Sequence, residues 1–410
     1  MAISALYICY FGVNEPLVQT QVLPYLRELA KAGINLHLLT FEPRLRETWD
    51  QAQLKRQEET LRRQGITWAC LPYHKRPSLL ATLYDIVAGA RLIVGLARRE
   101  GIGVLHARAH MPLAMALLAQ RFVHAKLLFD LRGLMAEEYA DAGIWDYHSI
   151  RFRLVKSLER AGIRRSDQMV VLTNRFRDWL VTHDLKSTEQ IEVIPCCVEF
   201  TRFDEAAAQS AETHLPENRF DVIYAGSLVG LYLVEEMGRF FKAIKQQRPE
   251  AFLRLFSVSE QEPARAALNR AGLNESDFEI RAASPAEIPA HLRQARLGLS
   301  FRKPAFAQIA ASPTKIPEYL AAGVPVVCNA GIGDMDEIVE REKVGVVLRE
   351  FVDGEYQSAA QRALALAEDT NVHARCRRVA REHFDLKTVG GKKYIKLYQR
   401  LLPRLTLADN

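Results

Sequence analysis

The chain has 410 residues, of which 49% are hydrophobic and 25% charged. That is an ordinary globular composition, with the length for two or three domains and apolar material for more than one core. A net charge of +6, with 26 Lys and Arg against 21 Asp and Glu in the first 200 residues, excludes a strongly basic nucleic-acid binder; the mild bias suits an anionic acceptor or a lipid surface.

Met1–Phe11 is short and apolar, lacks a basic leader and reads as a buried first strand. Strand-like runs follow at Asn35–Phe41, Thr67–Pro72, Val104–Ala107, Lys126–Asp130 and Gln168–Leu172, alternating with helical patterns such as Gln19–Lys31 and Leu79–Glu100. Apolar strands separated by helices indicate a parallel sheet covered on both faces. The polar, alanine-rich stretch from Glu199 to Asn218 reads as a linker. A second series of strands follows it: Phe220–Ala225, Phe252–Ser257, Phe278–Ile280, Leu297–Phe301, Val324–Cys328 and Gly345–Leu348. A last helix near Val389–Leu405 carries Tyr394, Leu397, Tyr398 and Leu401 at helical spacing and is expected to cross back to the first domain. The expected domains are 1–200, a linker over 201–218, 219–387, and the terminal helix over 388–410. Two doubly wound domains place a ligand-binding cleft at the carboxyl ends of their strands. No run of 18 apolar residues occurs, so no membrane span is expected. Cys9, Cys70, Cys196, Cys197, Cys328 and Cys376 form no C-x-x-C pair and no zinc spacing. They read as reduced, which favours the cytoplasm.

The segment Ala311-Ser-Pro-Thr-Lys-Ile-Pro-Glu-Tyr-Leu-Ala-Ala-Gly-Val-Pro-Val-Val327 carries the most information. Ser312 reads as a helix N-cap, Pro313 as the first helical residue and Gly323 as the C-terminal stop. A helix tip with free N–H groups, and Lys315 in its first turn, suits a diphosphate. Glu318 shares a face with Lys315 and can accept hydrogen bonds from ribose hydroxyls.

This segment resembles the donor-site signature of GT-B glycosyltransferases, most like glycosyltransferase family 4. Phe11-Gly-Val-Asn-Glu-Pro, Phe129-Asp-Leu-Arg-Gly-Leu134, Ile191–Val198 and Tyr224-Ala-Gly-Ser-Leu228 resemble other family segments, so the resemblance covers nearly the whole chain. It implies an α/β, GT-B architecture of two Rossmann-like domains facing a central cleft. It further implies transfer of a sugar from a UDP- or GDP-sugar to a glycan or lipid-linked acceptor, with retention and without an essential metal or a permanently bound cofactor. The donor site implied includes Ser227, Arg302, Ser312, Thr314, Lys315 and Glu318. Two positions depart from the commonest pattern. Ala310 stands where many members have a glutamate that contacts the donor sugar. Ser227 and Tyr232 stand where many have Arg and Lys on the diphosphate, and Arg302, Lys303 or Lys315 are the available substitutes.

Gly12, in the turn after the first strand, lets backbone approach a phosphate or sugar. Arg132, after a strand, would stabilise a leaving phosphate or an anionic acceptor, or pair with Asp130 or Glu137. His106 and His110 are candidates for binding acceptor or sugar hydroxyls, with a structural role as the alternative. Asp334-Met-Asp336 has a metal-like spacing but lies where helix capping is expected. Lys55, Arg56, Arg62, Arg63, Lys75 and Arg76 form a basic stretch suited to peripheral contact with an anionic membrane at the inner face of the cell membrane, or to a solvated helix face. The other activities weighed are a GT-B-fold sugar-nucleotide epimerase and a non-catalytic sugar-nucleotide-binding scaffold.

Overall fold

A computed structural model describes residues 4–76, 78–209, 219–258 and 261–402. Seven strands make the first sheet: β1 (Ser4–Ile8), β2 (Asn35–Pro43), β3 (Ile66–Tyr73), β4 (Val104–Arg108), β5 (Lys126–Asp130), β6 (Gln168–Val171) and β7 (Ile191–Val193). Their order is β3-β2-β1-β4-β5-β6-β7, parallel throughout. Six strands make the second: β8 (Phe220–Ala225), β9 (Ala251–Phe256), β10 (Phe278–Arg281), β11 (Leu297–Ser300), β12 (Val326–Asn329) and β13 (Gly345–Leu348). Their order is β10-β9-β8-β11-β12-β13, again parallel. Two compact units result. One comprises Met1–Ala140, Trp145–Pro195 and Lys387–Asn410, the other Asp141–Ile144 and Cys196–Leu386.

Period-two alternation explains why the central strands are apolar on both sides. Val222 and Tyr224 of β8 join one core with Leu253, Leu299 and Phe240, while Ile223 and Ala225 join the other with Tyr319, Cys328 and Val347. Strand order reverses between β1 and β4 in the first unit and between β8 and β11 in the second. In open parallel sheets the loops at such a reversal receive ligands. Gly12 and Arg108 lie at one reversal, Gly226 and Arg302 at the other.

Three elements differ from the sequence expectation. The pattern over Gln19–Lys31 is two helices, Pro16–Gln21 and Leu23–Lys31, broken at Val22. Pro24 has no N–H and its ring would clash with the carbonyl one turn back, so it opens the second helix. Within the expected linker, Phe200–Gln209 is helical and Phe203 is fully buried; residues 210–218 lie outside the described residues. At the other end, Leu386–Gly391 is a wide helical turn before the helix Lys392–Leu401, and residues 403–405 lie outside the described residues. This last helix is part of the first unit, with Tyr394, Leu397, Tyr398 and Leu401 buried. The helix Ser78–Glu100 is long and apolar enough by composition to cross a membrane, although Asp85 and Arg91 interrupt its apolar run.

Gly298 in β11 is a close-packing site. A Cβ there would lie 2.5 Å from Cδ2 of Tyr319. The Tyr319 hydroxyl accepts from the Ala225 amide and donates to the Leu299 carbonyl, both at 3.1 Å, and so ties the helix Lys315–Ala321 to β8 and β11. Gly298→Ala is expected to cost about 1–3 kcal/mol through overpacking. The check is thermal unfolding, in which the second unit's transition moves down.

Candidate functional site

In the second unit, β8 ends at Ala225 and the chain turns at Gly226, whose φ of 143° favours glycine. Its amide donates to the Phe256 carbonyl at 2.9 Å. A Cβ on Gly226 would stand 3.1 Å from Cε and 3.2 Å from Nζ of Lys315, so the bare turn lets the ammonium lie against backbone. Lys315 opens the seven-residue helix Lys315–Ala321 and is 4% exposed. Its Nζ lies 3.9 Å from the ring centroid of Tyr232 and 4.9 Å from that of Tyr224. The Arg302 guanidinium stands 5.2 Å over the same Tyr232 ring. Among the described residues Lys315 has no ion-pair partner. Burial lowers its pKa, the Arg302 charge pushes the same way, and Tyr232 and Glu318 oppose. Arg302 is pinned by its amide, which donates to Asn329 Oδ1 at 2.8 Å, while its buried Nε has no hydrogen-bond partner. Among the described residues, two cations thus lie against one aromatic ring with no carboxylate at ion-pair distance from Lys315.

Glu318 stands one turn beyond Lys315 and pairs with Arg202, Nη1 to Oε1, at 3.7 Å. Burial raises its pKa, and Arg202 and Lys315 pull it back in part. With its side chain 17% exposed, the carboxylate remains reachable.

The capping expectation for Ser312 is corrected. The helix starts at Lys315, flanked by Thr314 in helical geometry with no side-chain cap. The Ser312 hydroxyl instead accepts from the Cys196 amide at 3.1 Å, since a buried backbone N–H must find a partner. The tip of this helix thus carries no side-chain cap, and the Lys315 ammonium stands in its first turn. Gly323 does end the helix with φ of 82°, and a Cβ there would collide with His373. Ser227 Oγ accepts from the Val229 amide at 3.3 Å, and the Ser227 carbonyl accepts from the Tyr224 hydroxyl. Ala310 is buried in the 3-10 turn Phe306–Ala310. Two residues away, Gln308 is fully buried with neither side-chain amide atom hydrogen-bonded. Asp336 holds its own loop, accepting from the Gly331 amide at 3.0 Å. The described residues contain no group of three or more His, Cys, Asp or Glu placed to hold a metal.

In the first unit, a buried network surrounds Asp130 at the end of β5. It accepts from the Tyr394 hydroxyl at 3.0 Å, and lies 3.5 Å from Arg108, 3.4 Å from Arg132 and 3.4 Å from His106 Nε2. Burial alone would raise the carboxyl pKa; Arg132, His106 and Arg108 outweigh it and hold Asp130 well below the usual carboxylate range. His106 is fully enclosed, its Nδ1 2.8 Å from the Tyr398 hydroxyl. Both ring nitrogens face protein groups, so the expectation that His106 touches substrate gives way to a positioning role. His110 is likewise buried, with Nε2 3.0 Å from Glu159. Arg132 keeps its side chain 10% exposed.

Gly12 borders a cleft of about 620 Å³ lined by Asn14, Glu42, Trp49, Gln53, Arg56 and neighbours. A Cβ on Gly12 would come within 2.8 Å of Glu42 Oε2 and Pro43 Cδ. Glu42 is buried, accepts from the Val13 amide at 2.9 Å and from Thr40 Oγ1 at 2.5 Å, and has its pKa raised by burial. Sequence reasoning missed Glu42, Arg108, Gln308 and the aromatic role of Tyr232. The available signal was position, since Glu42 lies near the carboxyl end of β2 and Arg108 at that of β4.

Residues 18–197 match the family model described as Glycosyl transferase 4-like domain. No curated protein matches the chain in sequence. Solved structures similar over almost the whole chain include sucrose-phosphate synthase from Thermosynechococcus elongatus, at 16% identity and TM-score 0.71, covering 98% of this chain and 100% of that one. Another is Anabaena HepE in complex with UDP and glucose, at 15% identity and TM-score 0.66, covering 96% and 99%. A third is a putative UDP-N-acetylglucosamine 2-epimerase from Listeria monocytogenes, at 12% identity and TM-score 0.58, covering 100% and 99%.

The Asp130 network yields a stability test. A carboxylate with a depressed folded pKa stabilises above its unfolded pKa, about 3.9, and that contribution is lost as pH falls towards the folded value. Asp130→Asn leaves Arg108 and Arg132 without their buried counter-charge, at an expected cost of about 3–5 kcal/mol. Thermal unfolding against pH should show the first unit of the variant melting lower at neutral pH, with a shallower decline in acid than wild type.

Proposed function

We propose that this chain, a glycosyltransferase of GT-B fold with a family-4-like domain over residues 18–197, moves a hexose from a nucleoside diphosphate sugar to an acceptor hydroxyl with retention. The observation that carries the reading is the Lys315 ammonium, buried against Tyr232 and Tyr224 with Arg302 beside it and, among the described residues, no carboxylate at ion-pair distance. Such a pair of cations calls for an anionic ligand, and a diphosphate supplies the charge. Glu318 would take the ribose hydroxyls, exchanging its long contact with Arg202 for direct hydrogen bonds.

In this reaction the bond between the anomeric carbon and the β-phosphate oxygen breaks as negative charge gathers on the diphosphate. Lys315 and Arg302, fixed in advance in a low-dielectric setting, stabilise that charge more in the transition state than in the bound donor. The acceptor oxygen attacks the same face, and its proton passes to the departing phosphate. This leaves no need for a carboxylate pair. The acceptor, a glycan or lipid-linked sugar in polysaccharide or glycolipid assembly, would occupy the cleft beside Gly12, where Trp49 offers a ring face and Asn14, Gln53 and Arg56 offer polar groups. Arg132 would serve an anionic group of that acceptor. UDP-glucose is the first donor to try, because HepE was solved with UDP and glucose. The six cysteines, all free and five of them buried, suit a reducing compartment.

The epimerase-like fold neighbour motivates the second reading. Incubation with donor alone separates the two, since an epimerase would return an isomerised sugar nucleotide. Calorimetric titration with UDP tests the site itself. Lys315→Ala and Glu318→Ala are each expected to weaken binding about 10–100-fold, the loss of one charged hydrogen bond. Unchanged affinity in both variants would remove the assignment.

A further inference from the structure

The helix Ser78–Glu100 rests on the first unit through Ala81, Asp85, Gly89, Ile93 and Leu96, one face at a spacing of three or four. Its outward face is also apolar over the first turns. Leu79 is 54% exposed, Leu80 66%, Leu83 56%, Tyr84 63% and Val87 44%. Five large apolar side chains in a nine-residue stretch are more than scattered surface exposure.

The exposed charged residues between positions 75 and 91 have one sign. Asp85, the acid within it, is turned inward and held by the Tyr10 hydroxyl at 2.7 Å and by His74, Nδ1 to Oδ1, at 2.6 Å. Lys75 and Arg76 are exposed just before the helix, and Arg91 is exposed one turn past Val87 on the same face. None of the three has an ion-pair partner among the described residues.

We propose that this face docks on an anionic lipid bilayer, with Leu79, Leu80, Leu83 and Val87 entering the acyl boundary, Tyr84 at headgroup level and Lys75, Arg76 and Arg91 on lipid phosphates. The stripe is about 12 Å long at 1.5 Å per residue, too short to span and suited to lying in the interface. The opposite face packs on the helix His110–Ala119 and on β1, which also keeps the helix on the membrane surface. A second copy of the chain is a poorer occupant, because a twofold contact would bring the same cations against each other with no acid to balance them. The helix Gln51–Arg63, which carries the other part of the basic stretch, exposes Glu58 and has no comparable apolar stripe.

The helix follows β3, so its first turns lie at the carboxyl edge of a parallel sheet. Gly12 and the partly exposed Phe11 and Leu17 follow β1 at that same edge. Resting on the glycosyl-transfer reading, this places the acceptor cleft beside the lipid and makes the acceptor a lipid-borne sugar.

The test is flotation of the full chain, without donor, on vesicles of phosphatidylcholine with phosphatidylglycerol and of phosphatidylcholine alone. Wild type should float with the anionic vesicles and much less with the neutral ones. Leu80→Glu with Leu83→Glu should weaken binding at least about tenfold, and Lys75→Ser with Arg76→Ser about tenfold at low salt. Melting temperature and UDP affinity should stay at wild-type values, which keeps this proposal separable from the donor-site reading. If the leucine pair fails to fold, the Lys75/Arg76 variant alone decides. Absence of flotation, flotation equal in the variants, or a wild-type dimer dispersed by the leucine pair without vesicle binding would each overturn the proposal.

Discussion

A buried ammonium is costly unless something answers its charge, and the second unit is organised around one. Lys315 is enclosed by Tyr224, Tyr232 and the bare backbone of Gly226, with a second cation, Arg302, on the same ring. Aromatic faces soften the desolvation of a cation without neutralising it. The site is therefore charged, fixed and incompletely compensated, the condition under which a bound anion would offset the burial. Gly226, Tyr232, Arg302 and the Tyr319 anchor are the means by which the sheet holds that charge in place.

The first unit handles the opposite charge in a different way. Asp130 is fully buried and surrounded by Arg108, Arg132, His106 and Tyr394. Its charge is answered from within, so the network is a positioning device. It joins β4 and β5 to the last helix, through Tyr394 and through Tyr398 on His106. Arg132 alone of these four groups combines membership of the network with a partly exposed side chain and can touch a ligand.

Much of this was legible in the sequence. Apolar runs placed all six expected strands of each series on observed strands, because strands covered on both faces leave a continuous hydrophobic signal. Lys315 and Glu318 came from a local pattern, one helical turn read from consecutive residues. What escaped depends on partners distant in sequence. Ser312 has the composition of a cap, yet the Cys196 amide claims its hydroxyl. His106 has two readings, a sugar or acceptor contact and a structural role, until Tyr398 arrives from the far end of the chain. Gln308 and Glu42 give no periodic signal, and only burial marks them. The apolar outward face of Ser78–Glu100 was hidden for a related reason, since a helix hydrophobic on two sides reads as wholly interior.

Lys315 and its aromatic surround are proposed to hold the donor's diphosphate in the second unit. Hydrogen exchange on addition of UDP-glucose tests it directly. The amides around Gly226, Tyr232 and Lys315–Glu318 are expected to exchange more slowly. Unaltered exchange across those segments, with protection appearing elsewhere in the chain on saturation with donor, would contradict it.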